Sequence, residues 1–258
     1  MGLGSSSTTV VSILCVLLIE SGQLDLSTFL TNQLPSSSFQ LLSQLACNTH
    51  NAAQGRIGSG FDVITAVFGS CVFEKMENGC NHSPFCLPPH ISLALSCGGT
   101  SASKTPALVR RVREWRQQPC ADALWKAYGA NNAQIVRMFQ QAREVDDVDE
   151  IEQWMRTMKQ LYRDKLAILF QISEESSSDI VPKELYHILA ETNEVAGVIG
   201  CMVAGAGGFD SFYCLYDERS TQISEIEQIW MKCGSSISTI HESKQGLRVT
   251  PLPLEDDC

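Results

Sequence analysis

Small residues occupy positions 2 to 8, Gly2-Leu3-Gly4-Ser5-Ser6-Ser7-Thr8, and run straight into the apolar series Val10, Val11, Ile13, Leu14, Val16, Leu17 and Leu18. That order predicts a loop at the N-terminus of a buried helix. The series is too short to span a bilayer and lacks a basic leader, because the first basic residue is Arg56, so neither a membrane span nor a signal peptide is expected. A second helix is expected from Ser38 to about Ala53, where Phe39, Leu42, Leu45, Ala46 and Thr49 share one face and Gly55 follows as a stop. A glycine-punctuated loop from Gln54 to Asp62 then leads to a short helix, Val63 to Phe68, and a strand through Val72 and Phe73. Residues 77–90 are polar and contain prolines, which reads as a connection.

The domain boundary is placed near Pro89, dividing the chain into 1–89 and 90–258. Beyond it, Ile91 to Ser96 alternates as a half-buried strand does. Thr105 is placed to cap a helix whose first position is Pro106. Long helical patterns cover about 120–145 and 148–174, and another runs from Pro182 to near Glu194. The last quarter reads as strand (Val198 to Val203), glycine loop, strand (Ser211 to Tyr216), helix near 220–232, and a terminal strand or two. Strand, loop, strand, helix and strand in that order predict an α+β sandwich.

Composition narrows the function. A net charge of −10 argues against nucleic acid or an anionic membrane as partner, so positive charge for any anionic ligand must be gathered locally. The 11 cysteines are odd in number and follow no repeating frame, which speaks for free thiols in a reducing compartment rather than a disulfide scaffold. Cys80, His82, Cys86 and His90 are zinc-ligand types, but their spacing fits no common finger or knuckle.

Three glycine loops remain as candidate chemistry. In the first, Gly2 to Ser7, glycines let backbone N–H groups approach a phosphate, and the following helix offers its positive dipole end. The hydroxyls of Ser5 and Ser6 could add a phosphate contact and a magnesium ligand; a tight turn capping a core helix is the equally weighted alternative. No lysine follows, so this is not the common lysine-bearing phosphate loop. In the second, Arg56 and Asp62 flank Gly58-Ser59-Gly60. A carboxylate there can accept a proton, and an arginine beside it can balance the charge of a transferring phosphate; an ordinary surface ion pair is the plainer alternative. The third, Gly205 to Asp210, lies between two apolar strands and permits close approach of a ligand or of another backbone, or is simply a glycine hairpin.

Taken together, Gly2-Leu3-Gly4-Ser5-Ser6, Gln54-Gly55-Arg56-Ile57-Gly58-Ser59-Gly60-Phe61-Asp62 and Gly205-Ala206-Gly207-Gly208-Phe209-Asp210 resemble three motifs of the GHMP kinases, the superfamily of galactokinase, homoserine kinase, mevalonate kinase and phosphomevalonate kinase. The second motif, with the later Leu108, Val109, Val112 and Trp115, resembles the eukaryotic-type phosphomevalonate kinases. Gly-Ser-Gly-Phe-Asp departs from the Gly-x-Pro-Ser-Gly-x-Asp of mevalonate kinase.

The resemblance implies an α+β GHMP fold: the remainder of an N-terminal ribosomal-S5-like domain over 1–89 and a ferredoxin-like C-terminal domain over 90–258. It implies transfer of the ATP γ-phosphate to 5-phosphomevalonate, with ATP and Mg²⁺ as cofactors. Gly2, Leu3, Gly4, Ser5, Ser6 and Ser7 would wrap the nucleotide phosphates, and Ser6 would ligate magnesium. Asp62 would be the base or orienter, and Arg56 the basic residue beside it. Ser59, Gly60, Gly207, Gly208 and Asp210 would face the acceptor, and Ser101, Ser103 and Lys104 would line its phosphate pocket. The upstream magnesium glutamate of mevalonate-kinase relatives has no counterpart at His50 or Asn51, leaving Ser6 and ATP to hold the metal. The family places about a hundred residues, including a substrate-binding lysine, before the first of these loops. A second expectation is therefore an impaired fragment, or a binder of metabolite or nucleotide without turnover. A cytoplasmic monomer or homodimer is expected, with peroxisomal import left open.

Overall fold

The computed structural model describes residues 4–27, 36–55, 58–76, 79–97, 105–142, 148–205 and 207–250. The chain divides into two compact units, Gly4–Cys86 with Glu242–Cys258, and Leu87–His241. Each is described by itself.

The first unit holds helices α1 (Ser5–Glu20), α2 (Ser36–Ala53) and α3 (Phe61–Phe68) and the antiparallel hairpin β1 (Cys71–Met76) and β2 (Gly79–Pro84). Its core is Val11 and Cys15 of α1, Leu42 and Ala46 of α2, and Val63 and Val67 of α3. The C-terminal segment returns to this unit. Ser70 donates its N–H to the Ser243 carbonyl at 3.1 Å, and Leu247 donates to the Val67 carbonyl at 3.2 Å.

Three details differ from the sequence reading. The first helix is buried along one stripe only, Ser7, Val11 and Cys15, while Ile13, Val16 and Leu17 are more than half exposed. A helix that meets neighbours on one side buries one residue per turn however apolar its other sides are. The stripe of α2 runs Leu42, Ala46, His50, a strict four-residue step, and Leu45 and Thr49 turn outward. Finally, the connection 77–90 contains β2, whose residues pair with β1 while remaining mostly exposed, so no alternation of apolar residues marks it.

The second unit is a four-stranded antiparallel sheet in the order β4 (Val198–Val203), β5 (Phe212–Asp217), β3 (Ile91–Cys97), β6 (Ser236–Ile240). Helices α4 (Thr105–Arg116), α5 (Ala121–Gln141), α6 (Val148–Glu175), α7 (Lys183–Glu194) and α8 (Ile223–Met231) complete it. Mixed helix and sheet is the α+β class expected. Strand β4 is an edge strand buried along nearly its whole length, because α6 and α7 cover it. Asn193 of α7 clamps its backbone, accepting from the Cys201 N–H at 2.6 Å and donating to the Cys201 carbonyl at 3.3 Å. Trp230 of α8 packs edge-on against Phe212 of β5 and donates to the Thr192 hydroxyl of α7 at 3.1 Å. Among the described residues, no helix is long and apolar enough to cross a membrane.

Gly200 of β4 lies under the ring of Tyr162 from α6, and a Cβ there would fall 2.1 Å from the ring. Gly200→Ala is expected to cost about 1–3 kcal/mol of stability through overpacking. Gly129→Ala, on an open face of α5 where an added carbon meets nothing within 4 Å, is expected to add about 0.5–1 kcal/mol. Equilibrium urea unfolding of both variants checks the pair, and changes of the same sign would contradict this packing.

Candidate functional site

The described ends of the first two glycine loops, the starts of α1 and α3, come together within the first unit. Helices α1 and α3 both start from a glycine in the left-handed region, Gly4 (φ 78°) and Gly60 (φ 85°), and neither start carries a side-chain cap. Only glycine enters this conformation without strain, and it lets the chain turn sharply into each helix. Among the described residues, no side chain caps the start of α1. The α-carbon of Gly4 faces Asp62 so closely that a Cβ built on it would lie 3.5 Å from the Asp62 Cβ.

His50 links the two starts. It is only 6% exposed, at the end of the buried stripe of α2. Its Nε2 lies 3.0 Å from the Ser6 hydroxyl and 2.9 Å from the Gln54 amide nitrogen. Nδ1 faces the Asp62 carboxylate at 4.0 Å. The exposed Ser6 side chain is thus tied to the buried His50 ring. Asp62 accepts from the Val63 N–H at 3.0 Å through one oxygen, which fixes the carboxylate in the first turn of α3.

The loop between α2 and α3 is pinned from α2. Asn51 accepts the Gly58 N–H at 2.7 Å, and Cys47 packs 3.2 Å from where a Gly60 Cβ would stand. Burial, followed by the nearby Cys80 and Asp62, pushes the Cys47 thiol up, so it serves as a neutral packing group.

The other expected site residues fall as follows. Ser5 is exposed at the first position of α1, and Ser59 is exposed beside Gly60. Ser7 is buried, and its hydroxyl donates to the Gly4 carbonyl at 2.6 Å. Gly207 and Gly208 belong to the second unit and are buried against Ile180. The Gly208 N–H donates to the Ile180 carbonyl at 2.7 Å, and a Cβ on Gly207 would fall 2.4 Å from that same oxygen. The close approach these glycines permit is therefore made to another stretch of backbone. Asp210 follows them, partly buried. Gly2, Leu3, Arg56, Ser101, Ser103 and Lys104 lie outside the described residues.

His50 was noted in the sequence only where a carboxylate was absent. Its four-residue step from Leu42 and Ala46 is the signal that places it inward, at the junction of the two loops. Among the described residues, no three His, Cys, Asp or Glu side chains gather as a metal cage. His82 packs its ring against Phe68, with centroids 4.0 Å apart.

No family model matches the chain. A phosphomevalonate kinase of Aspergillus fumigatus is 28% identical, over 88% of this chain and 52% of its own length. One from Candida albicans is 26% identical over 88% of this chain and 58% of its own. A peroxisomal phosphomevalonate kinase of Arabidopsis thaliana is 25% identical over 95% and 60%. The chain spans about half the length of the curated relatives it matches. Among solved structures, L. major mevalonate kinase superposes with a TM-score of 0.63 at 18% identity, over 93% of this chain and 66% of that one. Homoserine kinase of Cytophaga hutchinsonii superposes at 0.57 with 14% identity, over 84% and 61%. The chain therefore has the GHMP-kinase fold and is, in sequence, a relative of the phosphomevalonate kinases.

Proposed function

We propose that this chain carries the activity of a phosphomevalonate kinase. It would move the γ-phosphate of ATP onto the phosphate of 5-phosphomevalonate, giving 5-diphosphomevalonate and ADP. The bond from the γ-phosphorus to the β–γ bridging oxygen breaks, and a bond from that phosphorus to an acceptor phosphate oxygen forms. ADP leaves with the bridging oxygen. The observation that supports this reading most is the meeting of the uncapped start of α1 with Asp62 around His50.

Phosphoryl transfer asks for positioning and charge neutralisation more than for covalent help. The open N–H groups of α1 suit the nucleotide phosphates. Mg²⁺, when bound, neutralises charge on those phosphates. Ser6 and the nucleotide itself would hold it, and the fit is sound: a hydroxyl oxygen is the hard donor magnesium takes, and His50 holds the Ser6 side chain in place. Asp62 orients the acceptor. An acceptor phosphate is already ionised near neutral pH, so a strong base is less necessary than a cation such as Arg56. His50 keeps Ser6 and Asp62 in register.

ADP release by this chain, with phosphomevalonate compared with mevalonate, tests the reading. Turnover with phosphomevalonate is expected; ATP binding without turnover would replace the kinase by a nucleotide binder. Asp62→Asn is expected to lower kcat by about 10²–10⁴-fold while ATP affinity stays nearly constant. Steady-state kinetics showing equal turnover would remove Asp62 from the mechanism. Arg56→Ala is expected to impair phosphomevalonate use more than ATP binding, seen as a raised acceptor KM or lowered kcat with each substrate varied in turn.

A further inference from the structure

Within the second unit, a cavity of about 230 Å³ opens between α4, α5, α6 and the ends of β4 and β5. Its walls are apolar and aromatic, with Val112, Trp125, Tyr128, Met202 and Tyr213 among them. An apolar groove beside it continues along Leu108, Val109 and Ile180 and shares Val112 and Trp125. Among the described residues that line this cavity, the one ammonium is that of Lys165 from the middle of α6.

The situation of Lys165 is unusual for a charged group. Its Nζ donates to the Asn132 side-chain oxygen at 2.8 Å and stands 5.7 Å from the centroid of the Tyr128 ring. Burial alone moves its pKa, which falls below the usual lysine value, and no carboxylate among the described residues offsets it. Lys159, one helical face away, shows the contrast, since Glu194 partly offsets the burial there. A charge drawn into an apolar pocket costs stability unless something neutralises it. An amide oxygen and a ring face recover part of that cost. The groove edge carries more positive charge: Arg116 lies over the Trp125 ring at 4.7 Å, and Arg113 lines the same groove. The nearby acid, Asp122, is engaged with Lys126 at 2.6 Å.

We propose that this cavity binds a small organic anion with an apolar body, its phosphate or carboxylate held by Lys165 and its body lying against Trp125 and Tyr128. Shape and charge each contribute. The aromatic walls take a body of a few carbons, and the partly buried Lys165 supplies a cation, with the arginines at the mouth attracting anions. This site goes beyond the phosphoryl-transfer reading and does not rest on it, since none of Ser6, His50 and Asp62 lines the cavity.

Isothermal titration with hexyl phosphate, inorganic phosphate and hexanol tests the site in the full chain. Hexyl phosphate is expected to bind about tenfold or more tightly than inorganic phosphate. Lys165→Met is expected to weaken hexyl phosphate by about tenfold or more and leave hexanol unchanged. Equal affinity of the native chain and Lys165→Met for hexyl phosphate, or no binding at all, would overturn the proposal. A second measurement needs no variant. Following the Lys165 side-chain carbon by NMR during a pH titration should show its pKa rising when hexyl phosphate is added, because an anion favours the charged amine. No movement counts against the site. Without ligand, Lys165→Met should raise Tm at neutral pH. The charge penalises the folded state below its lowered folded pKa, so the gain should shrink as pH rises toward the unfolded lysine range. A lysine retained only for its bond to Asn132 would give a lower Tm instead.

Discussion

The first unit depends on keeping one imidazole buried where three helices meet. His50 arrives on the inward stripe of α2, receives the Ser6 hydroxyl from the start of α1, and turns its other nitrogen toward Asp62 at the start of α3. A buried polar ring is tolerable only when its nitrogens find partners, so the requirement acts in both directions. The two helix starts must sit where they can satisfy His50, and His50 fixes how far apart they are. Gly4 and Gly60 make that geometry reachable, because each turns the chain through a left-handed residue and leaves no side chain between the two starts.

The second unit meets a different constraint. Its edge strand β4 is covered and pairs with β5 alone, so main-chain groups on its other side need partners from elsewhere. Asn193 supplies the missing partners at Cys201, and the absence of a side chain at Gly200 lets the Tyr162 ring press onto the strand. Burial on both sides of Tyr213 pushes its phenol up to about 12, so it stays neutral in the wall of the cavity that Lys165 enters. Lys165, which lines the same cavity, gives it a chemistry of its own.

The same glycine composition serves different ends in the two units. Gly4 and Gly60 turn the chain into the starts of α1 and α3, whereas Gly207 and Gly208 allow the β4–β5 loop to close on the Ile180 backbone. In the sequence these loops look alike, since a glycine records only that a side chain would be in the way. What stands in that space is a property of the packed chain.

Much was legible in the sequence, for local reasons. The strand Val198 to Val203 and the long helices of the second unit follow from apolar runs and 3.6-residue periodicity, which neighbouring residues impose on themselves. The Gly-Ser-Gly-Phe-Asp run likewise marked Asp62, because the motif is contiguous. Tertiary structure decided the remainder. Strand β2 has no apolar alternation and exists because β1 offers it hydrogen bonds. The outward side of α1 was set by which faces its two neighbours reach, not by hydrophobicity. Above all, Ser6, His50 and Asp62 lie far apart along the chain, and Lys165 reads as an ordinary helix lysine until α5 and the sheet remove water from around it. Periodicity acts between neighbours in sequence, whereas desolvation and hydrogen-bond partnership act between neighbours in space.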